Sequence, residues 1–371
     1  TISVVMIIGT MIVSGQLKFM KTTDLGFDKE NLMIMTVRDT SLRKSFESFR
    51  EEILSHPEIT GAAQSNANPG GNVGIVVQRI EGEGGELLDK AINRYSVDYN
   101  YVDLMGIEIK QGRNYDRSMG TDITKAFIIN EVAANEFGWA EEALGKRWQL
   151  GINLDGPPER DGEVIGVFRD FHYAALHNKI EPIVLVLQEN PLRMPLFNIR
   201  ISGNNTQEVI AFIDAKRKEF GDHYPLDYRF LTENLDEYYK EEAVIGTIFR
   251  YFTILTIFIA SLGLLGLSAF MAQRRTREVG IRKVMGSTVN GVVYLFLKEF
   301  SKWVIISNLV AWPLAWFGMG KWLQNFQYRI DMTVWIFALA LGLSLAIAVI
   351  TVSWQSIRAA ITNPADTLRY E

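Results

Sequence analysis

Three stretches of this chain run without a single charged side chain: Tyr251–Gln273, Trp303–Gly320 and Met332–Ile357. Lipid offers no partner to an exposed backbone N–H or C=O, so a chain crosses it as a helix of about 20 mainly apolar residues. Three such runs so close together read as membrane spans rather than as buried helices of a soluble core. Pro313 predicts a kink in the second run. Thr1–Val13 is apolar but shorter, and no basic segment precedes it. It reads as the outer end of a truncated first span rather than as a signal-peptide core.

Charge is segregated along the chain. Residues 14–243 hold 26 Lys+Arg against 38 Asp+Glu, whereas the remainder holds 12 against 5. The loop 274–302 carries Arg274, Arg275, Arg277, Arg282, Lys283, Lys298 and Lys302 against Glu278 and Glu299. The loop 321–331 carries Lys321 and Arg329 against Asp331. Lys/Arg-rich short loops stay in the cytoplasm. Loop 274–302 is therefore expected inside, with the tail from Arg358. Loop 321–331 and the acidic block 14–243 are expected outside.

The acidic block alternates strand and helix signals, as a mixed α/β domain in two lobes does. Strands are expected at Leu32–Val37, Val73–Ile80, Phe127–Ile129, Val164–Phe168, Ile183–Leu187, Phe197–Ile201 and Leu226–Leu231. Helices are expected at Lys44–Ser55, from an Asn130 cap through Phe137, and at Thr206–Phe220. Gly- and Pro-rich stretches at 69–74 and 151–162 read as loops. Residues 232–243 read as a polar stalk helix capped by Thr232 and continuous with the following span. The fold class is thus a multi-pass α-helical membrane protein of four spans with a large extracytoplasmic α+β (mixed α/β) domain. Residues 1–13 form the first span, 14–243 the outer domain, and 244–371 the membrane block with spans near 251–273, 303–320 and 332–357.

Within the basic loop, Glu278 and Arg282 have the favoured helical ion-pair spacing. Val279, Ile281, Val284 and Met285 supply apolar surface. Gly286 suits a helix stop, and Ser287 or Thr288 suits the next helix start. A short helix across the cytoplasmic ends of two spans accounts for these residues and for Gly280 better than a bare stop-transfer cluster. In the spans, small residues at helical spacing permit close approach: Ala260, Gly263, Gly266 and Ala269; Ala338, Gly342 and Ala346; and Ala340, Ser344 and Ala348.

Catalytic chemistry finds little support. The chain has no cysteine, which removes disulfides, thiolate zinc sites and cysteine nucleophiles. No phosphate-cradling P-loop sequence occurs. Asp170, His172 and His177 are the most enzyme-like group and read as a surface turn. No catalytic, cofactor or metal site and no nucleic-acid partner is expected.

The segment RRTREVGIRKVMGS (274–287) and the tail NPADTLRYE (363–371) resemble the FtsX-like, MacB-type permeases of ABC transporters. TTDLGFDKENLMIMTV (22–37), GIEIKQGRNYD (106–116), FIINEVAANEFG (127–138) and GEVIGVFRDFHYAALHNKIEPIVL (162–185) resemble that family's periplasmic core domain, in the same order. The resemblance implies a non-catalytic permease subunit in a bacterial inner membrane. It implies a coupling helix at 276–286, with Arg277, Glu278, Val279, Gly280, Ile281, Arg282, Lys283, Val284 and Gly286 facing a separate ABC ATPase subunit. It further implies a second permease module or a homodimer and a periplasmic adaptor as partners, and mechanotransmission coupled to export or efflux. This chain looks like the second of two such modules. A membrane-anchored sensor or scaffold, and an activator of a cell-wall hydrolase, are the alternatives.

Overall fold

The computed structural model describes residues 1–371 except 72–73, 83, 152–156, 174–175, 204, 276–277, 279–280, 283–284, 286–287 and 362–371. At 289–290, 292, 355–356 and 358–361 it describes the backbone alone. The chain divides into two compact units, Thr23–Tyr239 and a second made of Thr1–Thr22 with Lys240–Glu371.

The elements in chain order begin with α1 (Ile2–Thr22), β1 (Leu32–Thr36), α2 (Thr40–Lys44), α3 (Phe46–Ile53), β2 (Ile59–Ser65), β3 (Gly74–Glu81) and β4 (Leu87–Val97). Then come α4 (Tyr101–Leu104), β5 (Ile109–Gly112), α5 (Asp122–Lys125), β6 (Ala126–Asn130), α6 (Glu131–Glu136), β7 (Arg147–Leu150) and β8 (Arg160–Phe168). The rest are β9 (Ile183–Leu187), β10 (Leu196–Ile201), α7 (Thr206–Glu219), β11 (Tyr228–Phe230), α8 (Leu231–Tyr238), α9 (Lys240–Arg274), α10 (Val289–Leu323) and α11 (Val334–Ile361).

In the Thr23–Tyr239 unit, the order β11-β1-β10-β2 makes an open antiparallel sheet. One residue pair, Ser65 with Val97, joins it to β4. From there β4-β3-β7-β8-β6-β9 runs on, and β9 returns to pair in parallel with β4, closing a ring. β5 adds to β8 outside that ring.

Each half has its own core. Phe46, Phe49 and Ile53 share one face of α3 at helical spacing and pack with Phe197, Ile199, Val209 and Ile213 against the open sheet. Phe127, Ile129, Trp148, Val164, Val184 and Val186 fill the ring half together with α6 residues Ala133 and Ala134. The Val, Ile and Phe side chains among these contribute roughly 1.5–3 kcal/mol each. β9 is buried along its whole length, with strands on both sides, which is why it reads as an unbroken Ile/Val/Leu run.

Several expected boundaries shift. The helix expected over Lys44–Ser55 is broken at Ser45 into α2 and α3, because the Asp39 carboxylate caps the Ser41 and Leu42 N–H groups and starts the chain turning earlier. Asn130 does cap α6, accepting from the Ala133 N–H. Thr232 is not a cap: α8 starts at Leu231, and the Glu233 carboxylate accepts from the Phe230 N–H. The stalk expected over 232–243 is not one continuous helix, since Tyr239 takes a non-helical turn (φ −103°, ψ 13°). Its hydroxyl accepts the Leu176 N–H at 3.2 Å, anchoring the turn to the α/β unit.

In the other unit, four helices among the described residues are long and apolar enough to cross a membrane: Ile2–Thr22, Lys240–Arg274, Val293–Leu323 and Val334–Trp354. The first helix continues well past Val13. The helix that carries the first uncharged run begins at Lys240. Helix α10 passes through Pro313 without ending.

One buried carboxyl carries a pH signature. Asp98, 7% exposed, lies just beyond β4. It accepts from the backbone N–H and side-chain amide of Asn100. Burial pushes its pKa up from 3.8 to about 6. A raised carboxyl favours the folded state below pH 4 and loses that contribution as pH climbs through 6. Thermal midpoints of Asp98→Asn and wild-type protein should therefore diverge in the variant's favour between pH 4 and 6, with no further change above 6.5. A constant offset across that range contradicts the assignment.

Candidate functional site

Where the basic loop leaves the bundle, α9 ends in Arg274, a cation placed favourably at a helix C-terminus. Its guanidinium lies 5.7 Å from the Phe270 ring centroid. Arg275 reaches Glu299 on α10 through two contacts, 2.8 Å and 3.2 Å. The pair is forked and about a third exposed, so its net energy is on the order of 1 kcal/mol or less. Its larger effect is geometric, because it ties the exit of α9 to α10. Beneath it Phe296, Phe300 and Val352 form a buried apolar cluster, with Leu264 and Met271 packed against them. The loop thus springs from a braced platform.

In the loop itself, Glu278, Ile281 and Arg282 are helical. Glu278 and Arg282 form the expected ion pair at 2.7 Å. The Met285 N–H donates to the Ile281 carbonyl at 3.0 Å. Ile281 is 55% and Met285 83% exposed. Thr288 caps α10, its hydroxyl accepting from the Gly291 N–H, and Ser287 lies outside the described residues. Arg277, Val279, Gly280, Lys283, Val284, Gly286 and the tail 363–371 lie outside the described residues.

The small-residue seams divide. Ala340 and Ala348 are buried, and Ser344 accepts from the Asn308 side-chain amide at 3.1 Å, so that row packs inside the bundle. Ala338, Gly342 and Ala346, one step round the same helix, are exposed. So are Gly263 and Gly266, while Ala260 is half-buried. A Cβ added at Gly263, Gly266 or Gly342 would meet nothing. Among the described residues, these three glycines therefore make no close helix contact.

The membrane helices approach each other most closely at Gly9 and Gly246. A Cβ at Gly9 would fall 2.7 Å from the Phe249 ring, and one at Gly246 would fall 2.9 Å from Leu17. Beside them the Thr10 and Thr253 hydroxyls meet at 2.7 Å, and Thr253 donates to the Met6 carbonyl. Gln16, fully buried, donates to the Tyr328 carbonyl and accepts from the Ile330 N–H. That pins loop 324–333 against α1. Spacing alone gave no signal for these contacts, since their partners lie more than 200 residues away in sequence.

The enzyme-like group is structural at its centre. One oxygen of Asp170 accepts from the Asn130 amide and the Val132 N–H. The Asp170 N–H donates to Glu131. Together these bonds brace the start of α6. Burial raises the Asp170 pKa and lowers that of the His172 imidazole. Among the described residues, no three His, Asp or Glu side chains converge as metal ligands would.

Residues 250–364, from inside α9 through the loop and beyond α11, match the family model described as FtsX-like permease C-terminal. The chain carries an FtsX-like permease domain and is homologous to ABC transporter permeases. The permease is 25% identical over 303 residues to the ABC transporter permease YvrN of Bacillus subtilis, which covers 75% of this chain and 70% of YvrN. It is 20% identical over 298 residues to YknZ of the same organism, covering 77% and 71%. The solved periplasmic region of MacB from Actinobacillus actinomycetemcomitans aligns with 59% of the permease and 97% of that chain, at 15% identity and a TM-score of 0.40.

The two classes of glycine give a direct test. Gly9→Leu should lower the thermal midpoint of the detergent-solubilised permease, by an overpacking cost of about 1–3 kcal/mol. Gly318→Leu, at an exposed glycine where an added Cβ likewise meets nothing, should leave it within experimental error. Equal effects at both positions contradict the packing described.

Proposed function

We propose that this permease is the membrane subunit of an ABC transporter, and that the segment 276–286 docks on a separate cytoplasmic ATP-hydrolysing subunit. The observation that carries this reading is the pair of exposed apolar side chains, Ile281 and Met285, beside the Glu278–Arg282 ion pair on a braced platform. Water-exposed apolar groups one helical turn apart beside an ion pair suit a protein partner better than a topology signal, for which charge alone suffices. Arg277, Val279, Gly280, Lys283, Val284 and Gly286 belong to the same docking segment in this reading.

ATP binding in the partner would shift the loop and with it α9 and α10, which the Arg275–Glu299 pair links. The movement would reach the acidic α/β domain through the turn at Tyr239, where the chain leaves α8. The Lys/Arg distribution puts that domain outside the cell membrane. Export or efflux, in the manner of mechanotransmission, is the proposed outcome. The exposed Gly263, Gly266, Ala338, Gly342 and Ala346 are open to a second permease copy, as a paired transporter requires.

Ile281→Asp tests the docking. Affinity purification of the variant from native membranes should recover about tenfold less ABC ATPase than wild type, a loss of about 1.4 kcal/mol in association, with normal membrane insertion. Undiminished ATPase recovery contradicts the proposal. Recovery of a kinase or a hydrolase with the wild-type chain, and of no ATPase, supports the sensor or scaffold reading.

A further inference from the structure

A polar pocket of about 540 Å³ opens in the α/β unit between the end of α5, the start of β8 and the segment that follows β9. Three cations and three acids line it: Lys125, Arg160, Arg193, Glu159, Asp161 and Glu189. Their pairing is uneven. Arg193 holds Glu159 at 3.1 Å. Asp161 is taken by Arg147, at 2.5 Å and 2.9 Å, and by the Gln149 amide. Among the described residues, the Arg160 and Lys125 side chains have no hydrogen-bond or ion-pair partner. Neither has Arg94 on β4, whose charge is felt at Arg160.

The carboxylates that act on Arg94 and Arg160 are Glu159, already held by Arg193, and Glu189. One guanidinium nitrogen of Arg160, Nη1, is wholly buried with no acceptor. A buried donor left unsatisfied is costly, the more so when it is charged. Burial also pulls the pKa of Arg94 and Arg160 down from the usual arginine range. Two desolvated guanidinium groups near each other, with one free carboxylate at hand, leave a local excess of positive charge. Arg160 also lines the pocket, and a guanidinium is the side chain best suited to donate to a carboxylate or phosphate. The volume falls within the range of about 300–1,000 Å³ typical of small-molecule sites.

We infer that this pocket binds a small organic anion through its carboxylate or phosphate group, with Arg160 as the anchor and Arg94 and Lys125 completing the positive field. The site is built from the α/β unit alone and does not depend on how the basic loop docks. Calorimetric titration of the full chain in detergent at low chloride, with citrate and separately with glycerol 3-phosphate, decides the matter. At least one probe should bind at a single site. Arg160→Met should weaken binding tenfold or more, and Lys125→Met about threefold. Lys179→Met, a surface control, should leave it unchanged. Binding of citrate alone identifies a carboxylate ligand, and binding of glycerol 3-phosphate alone a phosphate ester. If Arg160→Met does not fold, judged by its thermal midpoint, the exposed Lys125→Met carries the comparison. Absence of heat with both probes, or binding that Lys125→Met and Arg160→Met leave intact, overturns the inference.

Discussion

The contact between α1 and α9 is the constraint on which the rest of the membrane unit depends. These helices are separated by the whole α/β domain in sequence, yet Gly9 lies against Phe249 and Gly246 against Leu17. Apolar side chains gain nothing by leaving lipid for one another, so helix association there relies on close packing and hydrogen bonds. Thr10, Thr253 and Ser3 supply the bonds at this seam. The contact pattern runs antiparallel, with Ser3 near Thr256 and Leu17 near Gly246. A domain of more than two hundred residues is thereby inserted between two helices that pack side by side. The chain leaves α1 at Thr22 and enters α9 at Lys240.

On that pair the other two helices complete the bundle. Ile8, Ile12, Ala311, Ala315, Phe337 and Ala340 share one core. A second apolar cluster, around Phe296, Phe300 and Val352, supports the end of the bundle from which the basic loop emerges. The loop's exposed Ile281 and Met285 then have a fixed base. The cytoplasmic docking proposed for them uses the same charge asymmetry that sets the topology, so one cluster of arginines serves both.

Much of this was legible in the sequence, for identifiable reasons. The uncharged runs announced three spans because lipid tolerates nothing else at that length. The Glu278–Arg282 pair could be read because its partners are one helical turn apart. The Arg275–Glu299 pair could not, because its partners lie 24 residues apart on different helices. Helix α1 was read too short because Gln16, Lys18 and Lys21 look like the start of a polar domain. The fold hides Gln16 by satisfying both ends of its amide. In the α/β unit, β4 escaped notice because its first half, Leu87–Ala91, is largely exposed and its second half largely buried. It therefore shows neither a clean alternation nor an unbroken apolar run. Choosing between the row at 338, 342 and 346 and the row at 340, 344 and 348 required knowing which face of α11 meets its neighbours, and both rows have the same spacing.

The absence of native cysteine makes the docking of the loop open to direct measurement. A single Met285→Cys substitution gives one reactive thiol in the whole chain, at an exposed position. Thiol cross-linking in intact membranes should join that residue to an ABC ATPase subunit. It should also leave the thiol unreactive toward an impermeant maleimide added from outside. Labelling from outside, or adducts only with proteins that are not ATPases, contradicts the account.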